Sequence, residues 1–184
     1  AAVYELTDLG FDTGAEEQVD PATLKRSMAI EAFQQGKFRR SINFALPVLK
    51  EHRFVDEMHL LVGEAYRNLE CFEKAANHFR RVIENDKTRI EPRYGLSMTF
   101  WQRGMYSDML EELGRIERIS PGDQISSYYT ALCYSRLDRS SDETIRLLRE
   151  ELDRNDADPY LNTELAKTYV RMNKNREAEQ AFRQ

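Results

Sequence analysis

The chain repeats itself about every 34 residues. A small residue recurs at this interval along the chain, and an aromatic residue follows it three positions later in every copy but the first. A fixed period of about 20 to 50 residues is typical of repeat folds, in which each copy buries its apolar face against its neighbours. The period therefore predicts a stack of similar units. The small residues are Ala29, Gly63, Ser97, Ala131 and Ala166, and the aromatic residues are Tyr66, Phe100, Tyr134 and Tyr169.

Each copy contains two segments with apolar residues at three- and four-residue spacing, which predicts two amphipathic helices, A and B, in every unit. Gly36 and Gly104 fall in the turn between A and B, where a helix end favours glycine. Pro47 lies inside helix B of the first unit, where we expect it to remove a hydrogen bond and kink the helix. The other prolines fall at junctions between units, and they are Pro21, Pro92, Pro121 and Pro159.

The phase of the repeat predicts the domain organisation. We expect an acidic leader over residues 1–21 and a helical array over residues 22–184. The predicted units cover residues 22–55, 56–89, 90–123, 124–158 and 159–184, and the last of them is incomplete.

This pattern resembles the tetratricopeptide repeat (TPR) family. The second unit, "HLLVGEAYRNLECFEKAANHFRRVI", matches the family consensus best, with Val62, Gly63, Tyr66, Ala75 and Phe79 in place. The sequence departs from the family at position 4 of each unit, where no Trp occurs, and at position 32, where Pro121 is the one proline. The resemblance implies an all-α, right-handed solenoid of antiparallel helix pairs whose A helices line a concave groove.

Phe100 and Trp101 are adjacent, so they point about 100° apart on a helix. The resemblance places Phe100 in the core and Trp101 in the groove. Alternatively, a curved array buries Trp101 between neighbouring A helices. We expect Trp101 to belong to a partner-binding patch, because contiguous exposed apolar surface usually marks a contact site. The patch consists of Tyr94, Met98, Trp101, Ile125, Tyr128 and Leu132, with Arg67, Arg136 and Arg171 around it.

Catalytic and cofactor motifs are missing from the sequence. It contains no phosphate-binding loop, zinc-protease helix or nucleophile elbow, and we expect no enzyme activity, no cofactor and no metal site. Cys71 and Cys133 are far apart and predict free thiols. His52, His59 and His78 lack ligand spacing, so we expect surface or half-buried histidines.

Charge and hydropathy narrow the partner class. The net charge is -5, and residues 1–20 contain six acids and no base, so the body is nearly neutral. A nearly neutral body disfavours RNA or DNA as a ligand. No apolar run approaches the length of a membrane span, and no signal peptide is visible. We therefore expect a cytoplasmic protein without direct membrane insertion.

The predicted function is that of an adapter or scaffold that binds an apolar-anchored peptide or partner segment in its groove. The alternative is a regulatory or targeting TPR domain of a larger enzyme or a membrane-anchored assembly, which the open apolar end at Phe182 favours. The same open end makes a homo-oligomer a further expectation. For the leader two interpretations stay open: a frayed tail, or a segment that lies along the groove of its own chain or a neighbour's.

Overall fold

The computed structural model describes residues 20–139, 141–155 and 158–183. These residues form ten α-helices and no strand. The leader, residues 1–19, lies outside the described part of the chain, and so the predicted division into leader and array stays a prediction. The helices are α1 (Pro21–Gln34), α2 (Phe38–Lys50), α3 (Val55–Asn68), α4 (Phe72–Asn85), α5 (Glu91–Gln102), α6 (Tyr106–Ile119), α7 (Gln124–Arg136), α8 (Ser141–Arg154), α9 (Pro159–Arg171) and α10 (Asn175–Arg183).

Consecutive helices pack against each other along the whole stack, so odd-numbered helices are the A helices and even-numbered helices the B helices. Helix α1 also contacts α3, α3 contacts α5, and α7 contacts α9, whereas no two B helices of the described ranges approach each other in this way. The A helices therefore lie on the inner side of the curve. The predicted all-α, right-handed solenoid of antiparallel pairs is confirmed.

Local sequence explains where the helices begin and end. Asp20 caps α1 by accepting a hydrogen bond from the Thr23 backbone N–H at 3.1 Å. Gly36 and Gly104 have φ of +70° and +71° in the turns after α1 and α5, a conformation that suits glycine. Pro47 does not end α2, which continues to Lys50.

Three clusters of buried apolar side chains follow one another along the stack. Phe79 is fully buried in the middle cluster, between Gly63 of α3 and Gly95 of α5. Phe100 is buried in the same cluster, as predicted. Both cysteines are free thiols, as predicted, with Cys71 exposed and Cys133 buried. Of the helices in the described ranges, none is long and apolar enough to cross a membrane.

Candidate partner-binding surface

Trp101 lies near the end of α5, where the third unit meets the fourth. Its ring makes edge-on contacts with Tyr106 of α6 at 5.2 Å and with Tyr129 of α7 at 5.5 Å between centroids. The side chain is half-buried and packs against both the middle cluster and the cluster of the last two units. Trp101 therefore joins two parts of the core and still presents part of its surface.

Helices α5 and α7 are neighbouring A helices whose backbones do not come into contact, unlike the other consecutive A helices of the described ranges. Trp101 and Tyr129 occupy the space between them, and Tyr129 in turn contacts Tyr128 edge-on at 5.3 Å. Aromatic pairs prefer such edge-to-face geometry because the positive ring edge meets the negative ring face. Bulky side chains thus set the spacing of the two helices at this point.

The hydroxyl of Tyr94 ties α5 to the next A helix. It donates a hydrogen bond to the carboxylate of Asp123, the N-cap of α7, which also accepts from the Ser126 backbone N–H at 2.7 Å. Burial, with the bond to Asp123, raises the pKa of Tyr94 to about 12. One unit further on, burial and the neighbouring charge of Asp158, the N-cap of α9, raise the pKa of Tyr128 to about 12. Each tyrosine thus keeps its proton at neutral pH.

Sequence reasoning missed this link between consecutive units. It assigned both tyrosines to partner contact alone. A repeated signal could have revealed the link: a Tyr stands at position 5 of the third and fourth units, and an N-cap Asp follows it 29 or 30 residues later.

Arg136 connects Trp101 to the last unit. Its guanidinium donates to the Tyr160 hydroxyl at 2.5 Å and lies 3.3 Å from a carboxylate oxygen of Glu164. It also stands over the rings of Trp101 and Tyr160, at 6.0 and 5.9 Å from their centroids. Arginine is suited to this double role because its planar guanidinium stacks on rings while its N–H groups donate in the plane.

Glu164 supports Arg136 from inside the protein. Burial alone would raise the pKa of its carboxyl, but bonds from Lys167 at 2.9 Å and Ser135 at 2.8 Å, with the Arg136 charge, hold the pKa below its ordinary value. Glu164 is therefore ionised at neutral pH, and it keeps Arg136 in place by charge and not only by packing.

The other two predicted arginines are held by neighbours of their own. Arg67 pairs with Glu64 at 2.6 Å and donates to Gln102 at 3.2 Å, across the second and third units. Arg171 pairs with Asp138 at 3.0 Å. Of the three predicted arginines, Arg136 is the one whose described contacts include a ring of the patch.

Leu132 is not part of any surface, and its assignment to the patch is wrong. It is 1% exposed because it points into the cluster of the last two units. Ile125 is the opposite case, at 51% exposed, and with Tyr128 and Tyr129 it lines a cleft of about 290 Å³. The name inner aromatic surface is used below for Tyr94, Met98, Trp101, Ile125, Tyr128, Tyr129, Arg136 and Tyr160.

The structure also brings together two histidines whose pairing was not predicted. Nδ1 of His59, which is buried, lies 2.8 Å from Nδ1 of His78, which is half-buried. One ring therefore donates to the other. No group of three or more His, Cys, Asp or Glu side chains that could hold a metal ion occurs in the described ranges.

The helix pairs and their inner face define the fold, an α-solenoid of the TPR type. No protein-family model matches the sequence, and no curated protein matches it.

Solved structures of MamA, a TPR-repeat protein, are similar in fold. MamA from Desulfovibrio magneticus RS-1, from position 41 to its end, is 18% identical with a TM-score of 0.79, over 89% of this chain and 92% of that one. A double mutant of the RS-1 protein gives the same identity and TM-score over 89% and 91%. MamA MSR-1 is 19% identical with a TM-score of 0.74, over 88% and 92%. At these identities the likeness shows the fold alone.

Proposed function

We propose that this chain is a protein-interaction adapter whose inner aromatic surface holds an apolar-anchored segment of a partner protein. The exposure of the Ile125 side chain is the observation that supports this proposal most. Its side chain is half exposed and lines a cleft together with Tyr128 and Tyr129 of α7 and with Glu151 and Arg154 of α8. A large apolar side chain in such a position loses contact with water when a partner binds, and that burial favours association.

The surroundings of Ile125 suit a binding role. Tyrosine, tryptophan and arginine are the residues that most often dominate the energy of an interface. Trp101, Arg136 and Tyr160 form one connected group, and Trp101 contacts Tyr129, which lines the same cleft as Ile125. Their mutual hydrogen bond and ring contacts hold them in place before any partner arrives. A preordered surface loses less conformational entropy on binding and so binds more tightly for the same contact area.

The experiment compares two equally exposed aliphatic residues. Peptides that bind the full chain are first selected from a random peptide library, and their affinities are then measured by fluorescence anisotropy. We expect Ile125→Ser to weaken the selected peptides by roughly 1 to 2 kcal/mol, or about 5- to 30-fold, because one aliphatic side chain no longer leaves water. Leu24→Ser, on α1, is the matched control, since Leu24 is also 51% exposed.

Three outcomes contradict the proposal. The first is that no peptide binds the chain. The second is that Ile125→Ser leaves every selected peptide unaffected, and the third is that Leu24→Ser weakens them as much. Light scattering on the same samples shows whether the partner class includes a second copy of the chain.

A further inference from the structure

The first two units contain a second cleft, of about 760 Å³, that the adapter function does not use. It is bounded by α2, α3 and α4. No aspartate or glutamate occurs among its described lining residues, although the whole chain has a net charge of -5. The lining includes the cations Lys50, Lys74 and Arg81 and three histidines, His52, His59 and His78. Burial lowers the pKa of His59 and of His78, so these two add no charge at neutral pH.

The cations of this cleft are not bound to a carboxylate of the described ranges. There, Lys50, Lys74 and Arg81 form no ion pair with a carboxylate. Asp56, whose charge acts on His59, is itself engaged by Asn85 at 2.8 Å and Arg89 at 3.4 Å. A cleft lined by one sign of charge concentrates the field and attracts ligands of the opposite sign. The cleft therefore suits an anionic ligand.

One wall of the cleft is apolar. Leu46, Pro47 and Leu49 of α2 line it together with Val55 of α3. A small anion such as phosphate would leave this wall uncovered. A peptide that carries both acidic and apolar side chains would satisfy both walls, because its carboxylates would meet the lysines and Arg81 while its apolar side chains left water.

The chain contains such a peptide in its own leader. Residues 4–12, "YELTDLGFD", hold three acids and four large apolar residues and no base. The leader joins α1 at Asp20, whose carboxylate pairs with Arg53, and Arg53 stands in sequence between His52 and Val55 of the cleft. The seven residues between Asp12 and Asp20 give eight Cα-to-Cα steps, which span up to about 26 Å when extended. The attachment point is thus close to the cleft and the tether is long enough.

We propose that residues 4–12 of the leader bind in the basic cleft of the same chain. Tethering favours this over binding from a second molecule, because a short flexible linker gives an effective concentration in the millimolar range. The apolar side chains Tyr4, Leu6, Leu9 and Phe11 cover the wall formed by α2, and Glu5, Asp8 and Asp12 face the cations of α4. The inner aromatic surface stays open to a partner.

The test uses the full chain with a spin label on Cys71. Cys71 is exposed at the start of α4, the helix that carries Lys74 and Arg81, whereas Cys133 is buried, so a thiol reagent selects Cys71. We expect the label to broaden the NMR signals of residues 4–12. The double variant Lys74→Glu with Arg81→Glu loses that broadening, as does high salt, since exposed charges are strongly screened near 1 M.

Arg80→Glu is the control, because it reverses one charge on the same helix, as each half of the double variant does, at a residue that does not line the cleft. It keeps the broadening. A compensating chain with Glu5→Lys and Asp8→Lys added to the double variant regains it. The proposal is overturned if wild type and the double variant broaden equally, if Arg80→Glu acts like the double variant, or if dilution removes the effect. Loss of broadening in Ile125→Ser instead would place the leader on the inner aromatic surface.

Discussion

Two helical glycines should respond in opposite ways to the same substitution. The two are Gly95 and Gly114. In Gly95→Ala the added Cβ enters the space of the Phe79 ring. For comparison, a Cβ added at Gly63, on the other side of that ring, would lie 2.8 Å from Cε1 of Phe79. Phe79 cannot move aside because it is fully buried between the two A helices. Gly114 lies on the exposed side of α6, and an added Cβ there meets nothing within 4 Å.

The magnitudes follow from two opposing terms. Replacing a helical glycine by alanine gains roughly 1 kcal/mol of helix propensity, and overpacking a tight core costs about 1 to 3 kcal/mol. Gly114→Ala keeps only the gain, so we expect about 0.5 to 1 kcal/mol of stabilisation. At Gly95 the overlap is closer than at Gly63, so the cost is near the upper limit and Gly95→Ala loses about 2 kcal/mol net. The melting temperature then falls by roughly 4 to 8 °C.

Urea denaturation followed by circular dichroism measures both changes. A third chain with Phe79→Leu removes the ring that the new methyl group meets, so Gly95→Ala should cost about 1 to 2 kcal/mol less in that background. The reasoning is refuted if Gly95→Ala stabilises the chain as Gly114→Ala does, or if the Gly95 and Phe79 substitutions are additive.

Two further predictions follow from the packing of the core. Trp101→Ala should lower the free energy of unfolding by roughly 2 to 3 kcal/mol and split denaturant unfolding into two steps. The reason is that it removes a contact between two clusters, and a repeat stack is held together by the interfaces between neighbouring units. Phe100→Ala acts within one cluster, so it should lower the free energy of unfolding by about 3 to 5 kcal/mol in a single step. A single step for Trp101→Ala would contradict this. Burial, then the charges of His59 and Arg81, lower the pKa of His78 to about 4. Between pH 6.5 and 4 the unfolded chain therefore binds more protons than the folded chain, so the free energy of unfolding falls on acidification through that range. The fall amounts to about 1 kcal/mol between pH 7 and 5 when the partial exposure of His78 is taken into account. His78→Gln should make that fall shallower in urea titrations, and an unchanged slope would contradict the assignment.

The fold was accessible from the sequence because repetition makes the same signal appear several times. Small residues such as Gly63 mark helix approaches, and glycines such as Gly104 mark turns, so one weak match is supported by its copies. The inner surface was accessible only in part. A position number says which way a residue points on an ideal helix, but the spacing of α5 and α7 depends on Trp101 and Tyr129 together. Leu132 is buried because it packs into the cluster of the last two units, which its position number did not reveal.

Position 4 of the repeat shows most clearly what the sequence could not reveal. Its polar residues depart from the family pattern, and in the sequence alone they indicate the loss of a packing residue. In the structure His59 at position 4 of the second unit pairs with His78, and Arg93 at position 4 of the third unit pairs with Glu112 at 3.1 Å.

Both partners lie 19 residues further along the chain, so in both units the same position on helix B contacts the same position on helix A. A buried polar side chain is costly unless it finds a partner of matching chemistry. In the third unit an acid, Glu112, therefore lies opposite Arg93, and in the second unit His78 lies opposite His59. The sequence shows the departures at His59 and Arg93, whereas only the packed pairs show that these two are compensated.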